Sequence, residues 1–297
     1  MVAKDVEPDE FVIVTHNVTA MRLVGDRASE QVSQQICGQV CLKLDTGHGW
    51  TKVESADGYH GWIVDEHLCT WPYNSAPWSP RAEGGRAMVV TIPLSPFYHT
   101  QDRESAILLP MGCIVHKLGI EEPLSGSICA VEAPLAMTQT GKPVRGFMRQ
   151  RDLEDLASNG APWTYDPVHV CHVACTLQGV PYLWGGTTPF GYDCSGFVQA
   201  IYALHGVNLP RDAYQQAAYS AGNQLPADTV PSVADLIFFR GSRNPHRRKV
   251  SHVGIAMGNG RVVHASGLNG VAISELASQE IAGEYEITSL LRLQPPA

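Results

Sequence analysis

The stretch PYLWGGTTPFGYDCSGFVQAIYALHG, Pro181 to Gly206, runs from a glycine-rich loop into an apolar pattern with helical spacing. At the junction stands Cys194, between Asp193 and the Ser195-Gly196 pair. A free cysteine is a small hydrophobe that packs well in a core, and that reading suits most single cysteines. At the first turn of a helix, however, the dipole favours thiolate over thiol and makes a nucleophile. The surrounding residues have to decide between the two.

A cysteine nucleophile needs a base within reach and a third group to orient that base, distant in sequence and adjacent in space. Downstream, His252 lies in SHVGIAMG and His264 in RVVHASG, both strand-like and both beside small residues. The two segments read as one hairpin turning at Gly258-Asn259-Gly260. A plain two-residue turn sets Ile255 opposite His264 and puts the histidines on opposite faces. A three-residue loop or a bulge sets Gly254 opposite His264 and Ser266 opposite His252, making the rings diagonal neighbours on one face. Taken singly, each histidine is more often a satisfied core residue.

Before the glycine loop, DPVHVCHVACTLQGV has Asp166 as N-cap, Pro167 at the first helical position and Gly179 as a stop. After it, ADLIFFRG, SHVGIAMG, RVVHASG and YEITSLLRL read as successive strands, and helices followed by strands indicate an α+β domain. Two seams, Thr70 to Arg86 and Ala157 to Pro167, are rich in Pro, Gly, Ser and Asn. They divide the chain into 1–75, 80–156 and 160–297. The first two pieces contain short β-rich runs separated by turn residues. Their endings, GYHGWIVDEHL and VRGFMRQRDLEDL, share a Gly-aromatic pair, a short strand and an acidic turn with leucine, weak evidence of a repeat.

With 297 residues, 44% hydrophobic and 17% charged, the chain has the composition of a folded protein of two or three domains. A net charge of -8 argues against a nucleic-acid partner, since phosphate binding needs a basic surface. No apolar run approaches the roughly 18 residues of a membrane span, so no membrane partner is expected. The opening MVAKDVEPDEFVIV has acidic residues where a signal peptide is basic, so a cytoplasmic protein is expected. Eight cysteines are too few for a disulfide scaffold. Cys171 and Cys175 near His172, and Cys37 and Cys41, lack the paired spacing of zinc folds and are read as core residues. No metal and no cofactor are expected.

YLWGGTTPFGYDCSGFV, LPRDAYQQ, DLIFF, SHVGIAMGNG and VVHAS resemble, in order and spacing, the motifs of the NlpC-type papain-like cell-wall peptidases. The resemblance covers about Asp166 to Leu293. It implies a papain-like domain, helices packed on an antiparallel sheet, with Cys194 as nucleophile, His252 as base and His264 orienting it. Tyr182 would donate to the oxyanion beside the Cys194 backbone N–H. The ends of the first two pieces resemble bacterial SH3-like barrels. Paired barrels before this domain resemble the γ-D-glutamyl-L-diamino acid endopeptidases of the YkfC type, which cut murein tripeptides and tetrapeptides with a free N-terminal L-alanine. The same resemblance places Trp184, Asp193, Ser195, Arg211 and Asp212 among substrate-binding residues and lets Tyr59, in GYHGW, wall off the amine end. The chain departs from the family at Ala234-Asp235, where Gly-Asp is usual, and in the basic segment RNPHRRK, Arg243 to Lys249. An inactive peptide-binding relative, or a papain-like amidase or acyltransferase, are the rival functions.

Overall fold

Residues 10–71, 86–100, 105–119, 127–135, 142–241 and 250–293 are described in the computed structural model, which divides into two units, Met1–Pro162 and Trp163–Ala297. The basic segment Arg243 to Lys249 and most of the seam between Thr70 and Arg86 lie outside the described residues.

The first unit holds two antiparallel sheets. One contains β1 (Phe11–Val14), β2 (Val18–Arg22), β3 (Gln31–Ile36), β4 (Val40–Gly47), β5 (Trp50–Glu54), β6 (His60–Val64) and β7 (Leu68–Trp71), in the order β3-β2-β6-β5-β4-β1-β7. The other contains β8 (Arg86–Val90), β9 (Leu94–Tyr98), β10 (Ala106–Pro110), β11 (Ile114–Lys117), β12 (Ile128–Ala133), β13 (Val144–Arg149) and β14 (Leu153–Asp155), in the order β10-β9-β13-β12-β11-β8-β14. The two orders are the same seven-strand path taken twice. Each path reaches its last strand through a 3-10 turn, Asp65–His67 and Gln150–Asp152, at the acidic turns that the sequence pairs.

Alternation along β2, β5 and β6 buries every second residue, Met21, Val53 and Ile63 among them, so one face of the sheet carries the core. Neither sheet is closed into a barrel: among the described residues no ladder joins β3 to β7 or β10 to β14. Nor do they have fully separate cores. Ile36 and Cys37, from the first sheet's end, belong to the cluster formed by Phe97, Leu109, Val115 and Val131 of the second. Burial of apolar side chains from both makes them one compact unit.

The second unit begins with helix α1 (Pro167–Thr176), capped by Asp166, whose carboxylate accepts from the Val168 and His169 N–H groups. A small hairpin, β15 (Thr187–Thr188) and β16 (Gly191–Tyr192), leads into α2 (Cys194–Ala203) and then α3 (Ala213–Ala217). The sheet follows: β17 (Gly222–Leu225), β18 (Leu236–Gly241), β19 (His252–Gly258), β20 (Arg261–Ser266), β21 (Gly270–Glu275), α4 (Gln279–Ala282) and β22 (Tyr285–Leu293). Its antiparallel order is β17-β22-β18-β19-β20-β21, with α2 packed against β19 and β20. Phe197, Val198, Ile201 and Tyr202 of α2 are fully buried. Helix spacing brings these positions to one face of α2. The protein is thus mostly β sheet with few helices.

Candidate active site

Cys194 is the first residue of α2, as its place between loop and helical pattern suggests. Asp193 is the N-cap, and its Oδ1 accepts from the Gly196 N–H at 2.7 Å and the Ser195 hydroxyl at 3.2 Å. Arg211 holds the same carboxylate with both guanidinium nitrogens, Nη1 at 3.1 Å from Oδ1 and Nη2 on Oδ2, and Nη1 also donates to the Ser195 hydroxyl at 3.0 Å. All three side chains are buried and hold one another. Gln216, which sequence reasoning passed over, ties this group to the next segment by donating to the carbonyls of Ser195 and Pro210.

The glycine at the third position of the helix has a steric cause. A Cβ at Gly196 would lie 2.1 Å from the Gly186 carbonyl oxygen, so only glycine lets the loop cross the first turn of α2. That loop carries Tyr182, half-buried and bridged to Tyr192, and Trp184, which stays 62% exposed. Burial raises the Tyr182 hydroxyl well above its ordinary range, and the nearby Cys194 and Asp193 add to the rise. The phenol therefore keeps its proton and can donate it.

The hairpin adopts the arrangement that puts both histidines on one face. Ile255 pairs with Val263 and Ala256 with Val262, then the register slips so that Gly258 pairs with Arg261. A two-residue turn at Asn259-Gly260, both with positive φ, thus combines with a bulge at Met257. His252 Nε2 lies 2.8 Å from His264 Nδ1, with the rings edge to face. Gly254 makes room for this approach, because a Cβ there would stand 2.5 Å from Val262 Cγ2 and 3.1 Å from His264 Cβ. Tyr285, at the start of β22, stacks on the His252 ring at 4.8 Å. No periodicity in the sequence singles Tyr285 out; it is set there by the pairing of β22 with β18.

Cys194 opens the helix that packs against β19, the strand that begins at His252. The environment opposes the thiolate that a helix start favours. Burial pushes the thiol up to about 12, the Asp193 carboxylate adds to this, and the Val253 N–H, Arg211 and the Ser195 N–H only partly oppose it. Burial likewise drives His252 down to about 3, with His264 pushing the same way. Both shifts favour the neutral forms, thiol and imidazole.

Asp212 caps α3 in a capping box with Gln215, whose Oε1 accepts from the Asp212 N–H at 3.0 Å. Tyr59 lies in the first unit, partly buried against the cluster of Val12, Met21, Val53 and Ile63. Ala234, where the resemblance anticipates glycine, takes a φ of 63°, the left-handed value glycine adopts freely. Asp235 beside it is buried and paired with Arg292 at 2.9 and 2.7 Å. Cys37, Cys41 and Cys171 are buried thiols of the two units' interiors.

The NlpC/P60 family model matches residues 179–288. A γ-D-glutamyl-L-lysine dipeptidyl-peptidase of Bacillus cereus is 39% identical over 248 residues, which is 80% of this chain and 68% of that protein. The dipeptidyl-peptidase of the same name from Bacillus subtilis is 39% identical over 114 residues, 38% of this chain and 36% of that one, so the chain matches about a third of its length. A crystal structure of an NlpC/P60 family protein from Bacillus cereus superposes with a TM-score of 0.76 at 21% identity, over 96% of this chain and 100% of that chain. That last likeness is one of fold.

Proposed function

The chain belongs to the NlpC/P60 family, and from that membership we propose that it is a cysteine endopeptidase cutting the bond between γ-D-glutamate and a diamino acid. Its substrates would be murein peptides with a free N-terminal L-alanine. The observation that carries the reading is the His252–His264 contact, with His252 on the strand against which the helix opened by Cys194 packs. The two dipeptidyl-peptidases to which the chain is similar support the choice of the γ-glutamyl bond.

In this mechanism His252 removes the thiol proton as Sγ attacks the scissile carbonyl carbon. The oxyanion is held by the Cys194 N–H, which as a first-turn group has no helical acceptor, and by the Tyr182 hydroxyl. The C–N bond breaks, and His252 returns the proton to the departing amine. Water then hydrolyses the thioester, regenerating thiol and neutral imidazole. Because thiol and imidazole begin neutral, the proton moves in the step that forms the bond.

Asp212 and the exposed Trp184 are proposed to receive the peptide, with Asp212 as the carboxylate for its terminal ammonium. A demand for a free amine suits fragments already released from the wall, so a recycling role in the cytoplasm belongs to the same proposal. The two open sheets are proposed as SH3-like domains, 1–75 and 80–156, before a peptidase domain at 160–297. Their shared strand path supports this. The test is incubation with L-Ala-γ-D-Glu-L-Lys and its diaminopimelate counterpart, each with and without an N-acetyl cap. Release of the free diamino acid from the uncapped peptides, lost in Cys194→Ala, is expected. Equal turnover of capped and uncapped peptides would remove the free-amine demand, and full activity in Cys194→Ala would remove the peptidase.

A further inference from the structure

Behind His264 the polar contacts continue to a carboxylate. His264 Nε2 lies 3.1 Å from Ser274 Oγ on β21, and Ser274 Oγ lies 2.9 Å from Glu280 Oε2 on α4. The other carboxylate oxygen accepts from Asn269 Nδ2 at 3.0 Å and stands 3.8 Å from His264 Nε2, too far for a direct hydrogen bond. Ser274 is therefore the only bridge between ring and carboxylate in this set of contacts. His264 is completely buried and Ser274 nearly so.

The chemistry of these groups fixes where every proton lies. A carboxylate can only accept, so Ser274 must donate its one proton to Glu280. Its oxygen can then only accept from His264, which puts the His264 proton on Nε2. His264 Nδ1 is left bare and accepts from His252, which puts the His252 proton on Nε2. The remaining nitrogen, His252 Nδ1, is bare. Without the carboxylate, the Ser274 hydroxyl is free to turn and donate to His264 Nε2. Both rings then exchange tautomers, and His252 Nδ1 carries a proton and cannot take another. One hydroxyl rotation thus decides whether His252 is a base.

We propose that Glu280 is a positioning residue for catalysis, acting through Ser274 to hold His264 and His252 in the tautomers that leave His252 Nδ1 free to accept the Cys194 proton. This rests on the reading of Cys194 and His252 as nucleophile and base. It also explains how a histidine serves as the third member of the set. An imidazole has no charge of its own to orient a partner, and here the charge is supplied two bonds further back.

The experiment is long-range 1H–15N NMR of the full chain with 15N-labelled histidine, which reads each tautomer directly, together with steady-state kinetics on the uncapped tripeptide. In the unsubstituted protein both His252 and His264 are expected as the Nε2–H form. Ser274→Ala and Glu280→Met should each give a mixture of tautomers. Each should also lower kcat by roughly 10- to 100-fold with KM changed less than about twofold, within the range general-base catalysis supplies. Ser274→Thr, which keeps the hydroxyl, should restore both tautomer and kcat. A His252 proton on Nδ1 in the unsubstituted protein would overturn the proposal, as would unchanged tautomers in Glu280→Met. Correct tautomers in a protein that cleaves no peptide would instead sink the peptidase reading alone.

Discussion

Arg211 holds both carboxylate oxygens of Asp193, the residue that caps the helix on which Cys194 comes first. The pair is buried, so its two charges compensate each other away from water. Removing one charge leaves the other desolvated and unpaired. Arg211→Met should therefore destabilise the protein by about 3–5 kcal/mol, read by urea unfolding. Arg211→Lys keeps the charge but not the planar fork, and should fall between the two. A loss below about 1 kcal/mol in Arg211→Met would show that the pair does not hold the helix start.

Alkylation of Cys194 should be slow at neutral pH. Its thiol is pushed up by burial and by Asp193, so the thiolate is scarce without substrate. The rate with iodoacetamide, followed by mass spectrometry of the Cys194 peptide, should rise steadily with pH through 9 and show no plateau near pH 5. An early plateau would mean a preformed thiolate–imidazolium pair.

Acid should weaken the fold through the histidine pair. His252 is held down to about 3 by burial and by His264, from an ordinary value of 6.5, and His264 is lowered as well. The unfolded chain therefore binds protons that the folded chain refuses. The stability from neutral burial is complete above about pH 6.5 and is lost progressively as pH falls towards about 3. Thermal unfolding between pH 7 and pH 4 should show this fall, and the doubly substituted His252→Gln, His264→Gln protein should show less of it. An equal fall in both would assign the acid sensitivity elsewhere.

Gly254→Ala tests the space between the rings. The new methyl would lie 2.5 Å from Val262 Cγ2, so β20 must shift to admit it. The His252–His264 contact should lengthen, and kcat should fall by about tenfold or more while circular dichroism stays unchanged. Unimpaired kcat in a folded Gly254→Ala protein would show that the close approach is not needed.

Much of the second unit was legible because local chemistry and tertiary structure agree there. Asp166 and Pro167 start a helix, Cys194 falls at the first turn of another, and the glycines around Asn259 make the turn that the hairpin needs. The choice between the two hairpin registers was not legible, since a bulge depends on how the sheet packs and not on the turn residues. The burial of Cys194 was not legible for a related reason. A helix start is visible in sequence, whereas the burial that outweighs it is set by distant strands. Ser274, Glu280 and Tyr285 were missed because each acts only through its neighbour across β20, β18 or α4. In the first unit, strands and turns could be read, but not the order in which the strands pair, which distant contacts set.

Ile36 and Cys37 sit among the side chains of the second sheet although they belong to the end of the first. A chain that builds the same seven-strand path twice would ordinarily yield two modules able to melt, evolve and be exchanged one at a time. Here neither copy can let go without uncovering oil for the other, so the pair should lose order in one step. The duplication is thereby locked: a single copy cut out by itself would carry a raw face where its twin had been, and would be prone to stick to another.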